Sequence, residues 1–303
     1  MVPINPKIKF GSLVALVFIP LAALDVGKYP WLEQISRQEQ LNSGCDNLDA
    51  KFKKKLNYSE LDHILVDHNF KLLYCYVPKV ACTNWKRVLM VLTGEYNVTN
   101  LLDIPSWQAH SEHSTVKLSE LAEADIQSCL NNYTLFLVTR HPFERLLSAY
   151  TNKFLDGYSS SKYFQQRYGR HIIKTFRSHP TAAEMASGAN VTFREFAHYL
   201  MKEGPTTNEH WAPVNDLCSP CALNYSFVGR HETIMEDARA VLDMVGAPHI
   251  VFPVTRYAKT KERLKYFFQQ LSIHEIETIY KLYEADFKLF GYGLEDILGY
   301  DLA

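Results

Sequence analysis

Residues Tyr76–Arg87 read YVPKVACTNWKR. An apolar run, Leu72 to Val77, stops at Pro78, and Lys79 follows at once. Ala81, Cys82, Thr83 and Asn84 then lead into WKRVLMVL, which has the look of a helix. A strand that turns sharply into a helix leaves the helix's first N–H groups unpaired and aimed at the turn. With the helix dipole behind them and Lys79 beside them, those groups suit an anion such as a phosphate. The glycines and the Gly-Lys-Ser/Thr ending of a Walker loop are missing. The same strand-loop-helix is also the ordinary unit of any α/β protein, so the segment fixes the fold class more firmly than the ligand.

Working outward, a second unit of this kind follows. Leu135–Thr139 (LFLVT) reads as a short buried strand, and Arg140-His141-Pro142-Phe143-Glu144-Arg145 comes directly after it. Phe143, Leu146, Leu147 and Tyr150 recur at helical spacing, and Pro142 suits the first turn of that helix. Arg140 at the strand terminus has two readings. Its planar fork suits a doubly charged phosphate, or it pairs with Glu144 to pin the turn. Further strands and helices read as helix Trp85–Thr93, helix Thr192–Lys202, strand Tyr225–Gly229, and helices Met235–Val245 and His274–Phe290. Strands alternating with helices give an α/β fold with a mostly parallel central sheet flanked by helices. Ligands in such sheets sit at the carboxyl ends of strands, where Lys79 and Arg140 fall.

The whole chain sets bounds on this reading. Its 303 residues allow one large α/β domain with appendages, and a formal charge of −1 argues against a dedicated nucleic-acid binder. Lys7 and Lys9 precede an uncharged run, Phe10 to Leu24, closed by Asp25. At about fifteen residues the run falls between a signal-peptide core and a full span, so it is either a short signal anchor (10–24) behind a cytosolic tail (1–9) or a signal cleaved near Ala22 or Ala23. Residues 25–62, with Lys51, Lys53, Lys54 and Lys55, read as a polar stem, and 63–303 as the luminal domain. Five sequons, at Asn57, Asn97, Asn132, Asn190 and Asn224, accord with passage through the secretory pathway. Six cysteines would be free to oxidise there, with no connectivity readable from sequence. Cys218-Ser219-Pro220-Cys221 lacks the context of a redox motif or a zinc site, and reads as structural.

Together the two phosphate-type units carry a family likeness. The chain resembles the Golgi carbohydrate sulfotransferases, in the branch with chondroitin and dermatan 4-O-sulfotransferases. The likeness runs through Pro78–Arg87, Arg140–Phe154, His210-Trp211-Ala212-Pro213, Leu217–Cys221, Tyr225–Glu232 and Asp286–Tyr292, in the family's order. It implies a P-loop-like sulfotransferase fold and a type II Golgi membrane protein with a luminal catalytic domain. It also implies 3′-phosphoadenosine 5′-phosphosulfate as donor, with the segment Pro78–Arg87 at its 5′ end, Pro78 to Trp85 being the contact residues singled out, and Arg140 and Ser148 of Arg140–Phe154 at its 3′-phosphate.

Within that frame each residue has an expected task. Lys79 is the cation near the bridging oxygen, where charge develops as the bond to sulfur breaks. Pro78, Val80 and Ala81 shape the loop, while Cys82, Thr83 and Asn84 offer main-chain N–H groups and Thr83 adds its hydroxyl. Ala81 replaces a glycine common in the family, at a cost on the order of 1 kcal/mol if φ is positive there. Trp85 is assigned to the adenine or to the core under the sheet. His110 is the expected base for the acceptor hydroxyl, with His113 and Glu112 as rivals. Arg167, Arg170 and Lys174, interleaved with aromatics in Lys162–Arg177, and Arg230 form an expected contact surface for an anionic glycan. This chemistry calls for no metal and no nucleic acid. The acceptor is expected to be the 4-hydroxyl of GalNAc in chondroitin or dermatan. The rivals are terminal GalNAc or glucuronate on glycoproteins, a nucleotide kinase or NTPase, and a non-catalytic glycan-binding relative.

Overall fold

A computed structural model describes residues 31–111, 114–155, 157, 160–253 and 260–295. The expected tail and signal anchor lie outside the described residues, as do Glu112 and His113. Among the described residues no helix is long and apolar enough to cross a membrane.

The chain begins with helix α1 (Trp31–Asp46) and the antiparallel pair β1 (Ile64–Asp67) and β2 (Leu72–Cys75). Helix α2 (Cys82–Leu92), the short strand β3 (Val116–Lys117) and α3 (Glu123–Asn132) come next. Strand β4 (Thr134–Thr139) then feeds α4 (Pro142–Phe154). A helical lobe follows: α5 (Ser161–Phe164), a π-turn at Gln165–Gly169, α6 (Arg170–Phe176), α7 (Ala182–Ser187), α8 (Phe193–Glu203) and α9 (Val214–Cys218). Strand β5 (Phe227–Arg230) and helices α10 (Ile234–Met244), α11 (Thr260–Phe268) and α12 (Ile273–Phe290) complete the described chain.

The five strands lie in the order β3-β1-β2-β4-β5. β2, β4 and β5 run parallel, pairing Cys75 with Leu137 and Thr139 with Arg230, whereas β1 and β3 are antiparallel. The expected parallel sheet is thus the half that carries the site, with a two-stranded antiparallel edge beside it. The carboxyl ends of the three parallel strands open on one side, and a loop-to-helix turn leaves each: Tyr76–Ala81, Arg140–His141 and His231–Thr233. That crevice is where a sheet of this type places a ligand.

Two apolar cores flank the crevice. One packs the sheet against α2 and α10 through residues such as Tyr74, Trp85, Phe136 and Val241. The other is an aromatic core of the helical lobe, including Phe143, Tyr150, Phe154, Phe196, Trp211, Phe268 and Phe287. Helix α4 belongs to the second core and springs from a strand of the first, so it couples the two.

Part of the expected stem is folded onto the domain. Helix α1 buries Gln34, Arg37 and Leu41, Arg37 pairs with Asp237 at 2.9 Å, and Cys45 bonds to Cys221. A boundary at residue 62 therefore cuts through packed structure, because α1 docks by long-range polar and covalent links that a local polar composition does not reveal. Cys75 bonds to Cys218. Cys218 and Cys221 are thus structural as expected, each joined to a distant partner, while Cys82 and Cys129 are free and buried.

Candidate active site

The loop between β2 and α2 has an unusual backbone. Lys79 and Ala81 both have positive φ, 75° and 67°, in the region where a Cβ is strained. Alternation of such residues with ordinary ones curls a loop into a concave nest with its N–H groups inward. Two arginines, Arg140 in the turn before α4 and Arg145 within it, hold it so. Arg145 Nε donates to the Pro78 carbonyl at 2.9 Å, and Arg140 Nη1 to the Lys79 carbonyl at 3.2 Å. With the carbonyls drawn toward α4, the N–H groups of Cys82 and Thr83, the first two of α2, bond to no described backbone acceptor. Orphan donors at a helix start, backed by its dipole, await an anion.

Not every expected donor is available. The Asn84 N–H already bonds to the Ala81 carbonyl at 3.0 Å, so Asn84 does not face a ligand through its backbone. Its side chain accepts from Arg87 at 2.9 Å and reaches the Pro253 carbonyl. Trp85 is fully buried against Tyr74, Phe136 and Phe252, which assigns it to the core and removes it from the adenine. Its helix position one turn inside the sheet face accounts for this. Pro78 and Val80 are buried too and serve as loop scaffold.

Lys79 meets its expected neighbours. Burial, then Lys153 and Arg140 nearby, lower its pKa to about 8, against an attraction to Cys82. His110 bonds through Nε2 to the Thr83 hydroxyl at 2.9 Å, so the hydroxyl expected to face the donor instead tethers the expected base. Burial, followed by the charges of Lys86, Lys153, Arg87 and Lys79, pushes His110 down to about 4. The imidazole is therefore neutral near pH 7, the state in which it can accept a proton.

Arg140 shows the pairing reading in full: Nε and Nη2 bond Glu144 at 3.3 and 3.2 Å. Three of its five N–H groups are thus engaged, and two remain for a ligand. Ser148 lies on the same stripe of α4, one turn beyond Glu144 and nearly buried. A phosphate at Arg140 and Ser148 therefore meets Glu144 between them. Arg230 donates to the Phe290 carbonyl at 2.8 Å and lies over Tyr292, so it fastens β5 to the end of α12. Arg167, Arg170 and Lys174 are exposed on the α5–α6 segment, away from carboxylates within salt-bridge distance among the described residues.

Sequence reasoning passed over several residues. Arg145 is fully buried and also donates to the Ala212 and Glu209 carbonyls, at 2.6 and 3.0 Å. It thereby binds the Pro78 loop to the segment holding His210. His210 donates from Nδ1 to the Asn208 amide oxygen at 2.8 Å, and Asn208 is itself fixed by Tyr168. Burial, then Lys153 and Lys79, depress His210 to about 2. Lys153, in the third turn of α4, rests its ammonium over Phe164 at 4.3 Å and reaches Ser160 at 3.4 Å. A charge inside the otherwise apolar face of Phe143–Phe154 was the available signal for Arg145 and Lys153. His210 stood in the quoted His210–Pro213 likeness and bonds locally to Asn208, but its approach to Lys79 and Lys153 is set by the fold.

The crevice thus gathers orphan N–H groups and cationic side chains at the carboxyl ends of the parallel strands, an arrangement that suits a polyanion. Comparison with known proteins gives the same class: the model of the sulfotransferase family matches residues 62–293, and the chain belongs to that family. It is similar to carbohydrate sulfotransferase 11 of Mus musculus, with 39% identity over 88% of this chain and 77% of the relative. Carbohydrate sulfotransferase 14 of Danio rerio is 43% identical over 77% of this chain and 63% of the relative. Carbohydrate sulfotransferase 10 of Homo sapiens is 32% identical over 78% and 69%. No solved structure matches the chain. Membership makes this a sulfotransferase enzyme and implies 3′-phosphoadenosine 5′-phosphosulfate as its sulfuryl donor. The orphan N–H groups and the unpaired Lys79 and Lys153 fit such a donor. Among the described residues no group of three or more His, Cys, Asp or Glu is placed to hold a metal ion.

Proposed function

We propose that this enzyme moves a sulfuryl group from 3′-phosphoadenosine 5′-phosphosulfate to the 4-hydroxyl of GalNAc in chondroitin or dermatan. The observation that carries the reading is the meeting of the two phosphate units, Arg140 Nη1 on the Lys79 carbonyl at 3.2 Å. One nucleotide can then span both, with its 5′ end on the α2 N-terminus and its 3′-phosphate toward Arg140 and Ser148.

In this reading the acceptor oxygen attacks sulfur while its proton passes to His110. The bond from sulfur to the bridging oxygen breaks, and Lys79 neutralises the charge that builds on the leaving phosphate. Lys153 adds positive charge on the same side. Catalysis here is positioning and electrostatics, as in phosphoryl transfer. Trp107, 72% exposed and in the same turn as His110, offers an aromatic face to a sugar ring. Arg167, Arg170 and Lys174 would guide a polyanionic chain from outside the cleft.

Similarity to the carbohydrate sulfotransferases supports a glycan acceptor and a Golgi location with the catalytic domain in the lumen, anchored through residues 10–24. Two disulfides linking remote parts of the fold accord with an oxidising compartment. The test is incubation of the protein with radiolabelled donor and a panel of desulfated chondroitin, desulfated dermatan and glycoproteins ending in GalNAc or glucuronate. Label on the 4-position of chondroitin or dermatan GalNAc is expected. Label confined to the glycoproteins, or to none, would replace this reading with its rivals.

A further inference from the structure

Outside the cleft, Arg37 pairs with Asp237 and Arg177 with Glu184 and Glu195, while the half-buried Arg87 and Arg230 bond main-chain carbonyls. Among the described residues Lys86 has neither kind of partner. It is partly buried, and no carboxylate oxygen of a described residue lies within 4.0 Å of its ammonium. The ammonium rests instead over the Tyr76 ring, 4.2 Å from its centroid. That ring is fixed by stacking on His63 at 4.3 Å and by its hydroxyl, which donates to Glu209 at 3.1 Å. A desolvated ammonium on an aromatic face is positioned and only half neutralised, which suits it to a single external anion.

Its place on α2 says which molecule brings that anion. Lys86 is one turn beyond Thr83 on the same helical face, and Thr83 holds His110. After burial, Lys86 is the first of the cations that lower the proton affinity of His110, ahead of Lys153, Arg87 and Lys79. Lys86 is thus on the face of α2 that carries the His110 tether.

We infer that Lys86, presented on Tyr76, is an acceptor subsite that reads the carboxylate of the uronic acid adjoining the sugar that is sulfated. This rests on the glycosaminoglycan reading above and adds the feature of the chain that is recognised. It separates an alternating acidic polymer from a neutral terminal sugar.

The experiment uses the full chain, labelled donor, and two acceptors: desulfated chondroitin and the same polymer with its carboxylates reduced to alcohols. The wild type is expected to favour the carboxylate form by about tenfold in kcat/KM, the scale of a charge-assisted hydrogen bond. In Lys86→Met that preference collapses to about twofold or less through a raised KM for chondroitin, with donor KM moving less than twofold. Lys86→Arg, which keeps the charge, recovers most of the preference and shows that the fold tolerates change there. A raised donor KM in Lys86→Met, or an intact tenfold preference, overturns the subsite while leaving the transferase reading standing. A wild type that labels only neutral glycoprotein acceptors overturns both.

Discussion

The crevice at the carboxyl ends of β2, β4 and β5 and the helical lobe around α8 both contain buried or half-buried cations, but treat them differently. In the lobe, Arg177 sits between Glu184 and Glu195 at 2.8 and 2.7 Å, and Glu275 takes both Arg194 and His198. Arg177, Arg194 and His198 are thus answered within the chain, and the carboxylates double as capping groups for α7, α8 and α12. In the crevice, Lys79, Lys86 and Lys153 face no described carboxylate within ion-pair distance, and Arg145 is satisfied by three carbonyls. Burying unanswered charge is costly, so its persistence in one place marks where a ligand's charge is expected. Arg140 sits on the border, half answered by Glu144.

Exchanging a cation in each region should separate the two roles. Lys79→Ala is expected to lower kcat roughly 10²-fold or more with little change in Tm, the scale for losing a donor to transition-state charge. Arg177→Met should do the reverse, losing about 2 kcal/mol of stability with its charge-assisted bonds while kcat holds. Steady-state rates and thermal melts on both variants check this. Near-normal turnover in Lys79→Ala would leave the crevice lysine no more special than the lobe arginine.

The pH dependence sharpens the same contrast, because unanswered charges depress one another's affinity for protons. His110 at about 4 must be neutral to act, so kcat/KM should fall only as pH drops through about 4. Lys79 at about 8 must be charged, so the opposite limb should fall as pH rises through about 8. A plateau between those limbs is expected in kcat/KM, which reports the free enzyme. An acid limb near the ordinary histidine value of about 6.5 would mean that His110 is not held in this cationic field.

How much of this was legible in the sequence depends on the range of the interaction. Lys79 and Arg140 stand at strand-to-helix turns, with Ser148 inside the helix that follows Arg140, and local pattern placed those turns within a residue or a few. The possible Arg140–Glu144 pair was legible for the same reason, being one helical turn. Trp85 was ambiguous, since a tryptophan at a helix start looks alike in sequence whether it turns to the sheet or to a ligand. Helix α1 was misassigned because only Leu41 among its buried residues is apolar; its docking rests on Arg37, Gln34 and Cys45, whose partners lie far along the chain. The same distance hid the role of Arg145, whose three carbonyl partners are more than sixty residues away. Strands β1 and β3 are four and two residues long, too short to show a period.

The smallest effect tests the shape of the loop itself. Ala81 holds φ at 67°, a left-handed conformation that costs a residue with a Cβ roughly 1–2 kcal/mol and a glycine almost nothing. Glycine returns part of that gain by enlarging the unfolded ensemble, by roughly 0.4–1 kcal/mol. Ala81→Gly is therefore expected to stabilise the protein slightly, raising Tm by about 1–3 °C for a domain of this size. No such relief is available in the helical lobe at Gly188, which already has positive φ and where a Cβ would meet the Gln165 carbonyl oxygen at 2.0 Å. Gly188→Ala should be strongly destabilising, which makes it the control for Ala81→Gly in the same melting experiment. If Ala81→Gly lowers Tm instead, the left-handed turn is not native, and with it goes the nest of N–H groups that aims α2 at the donor.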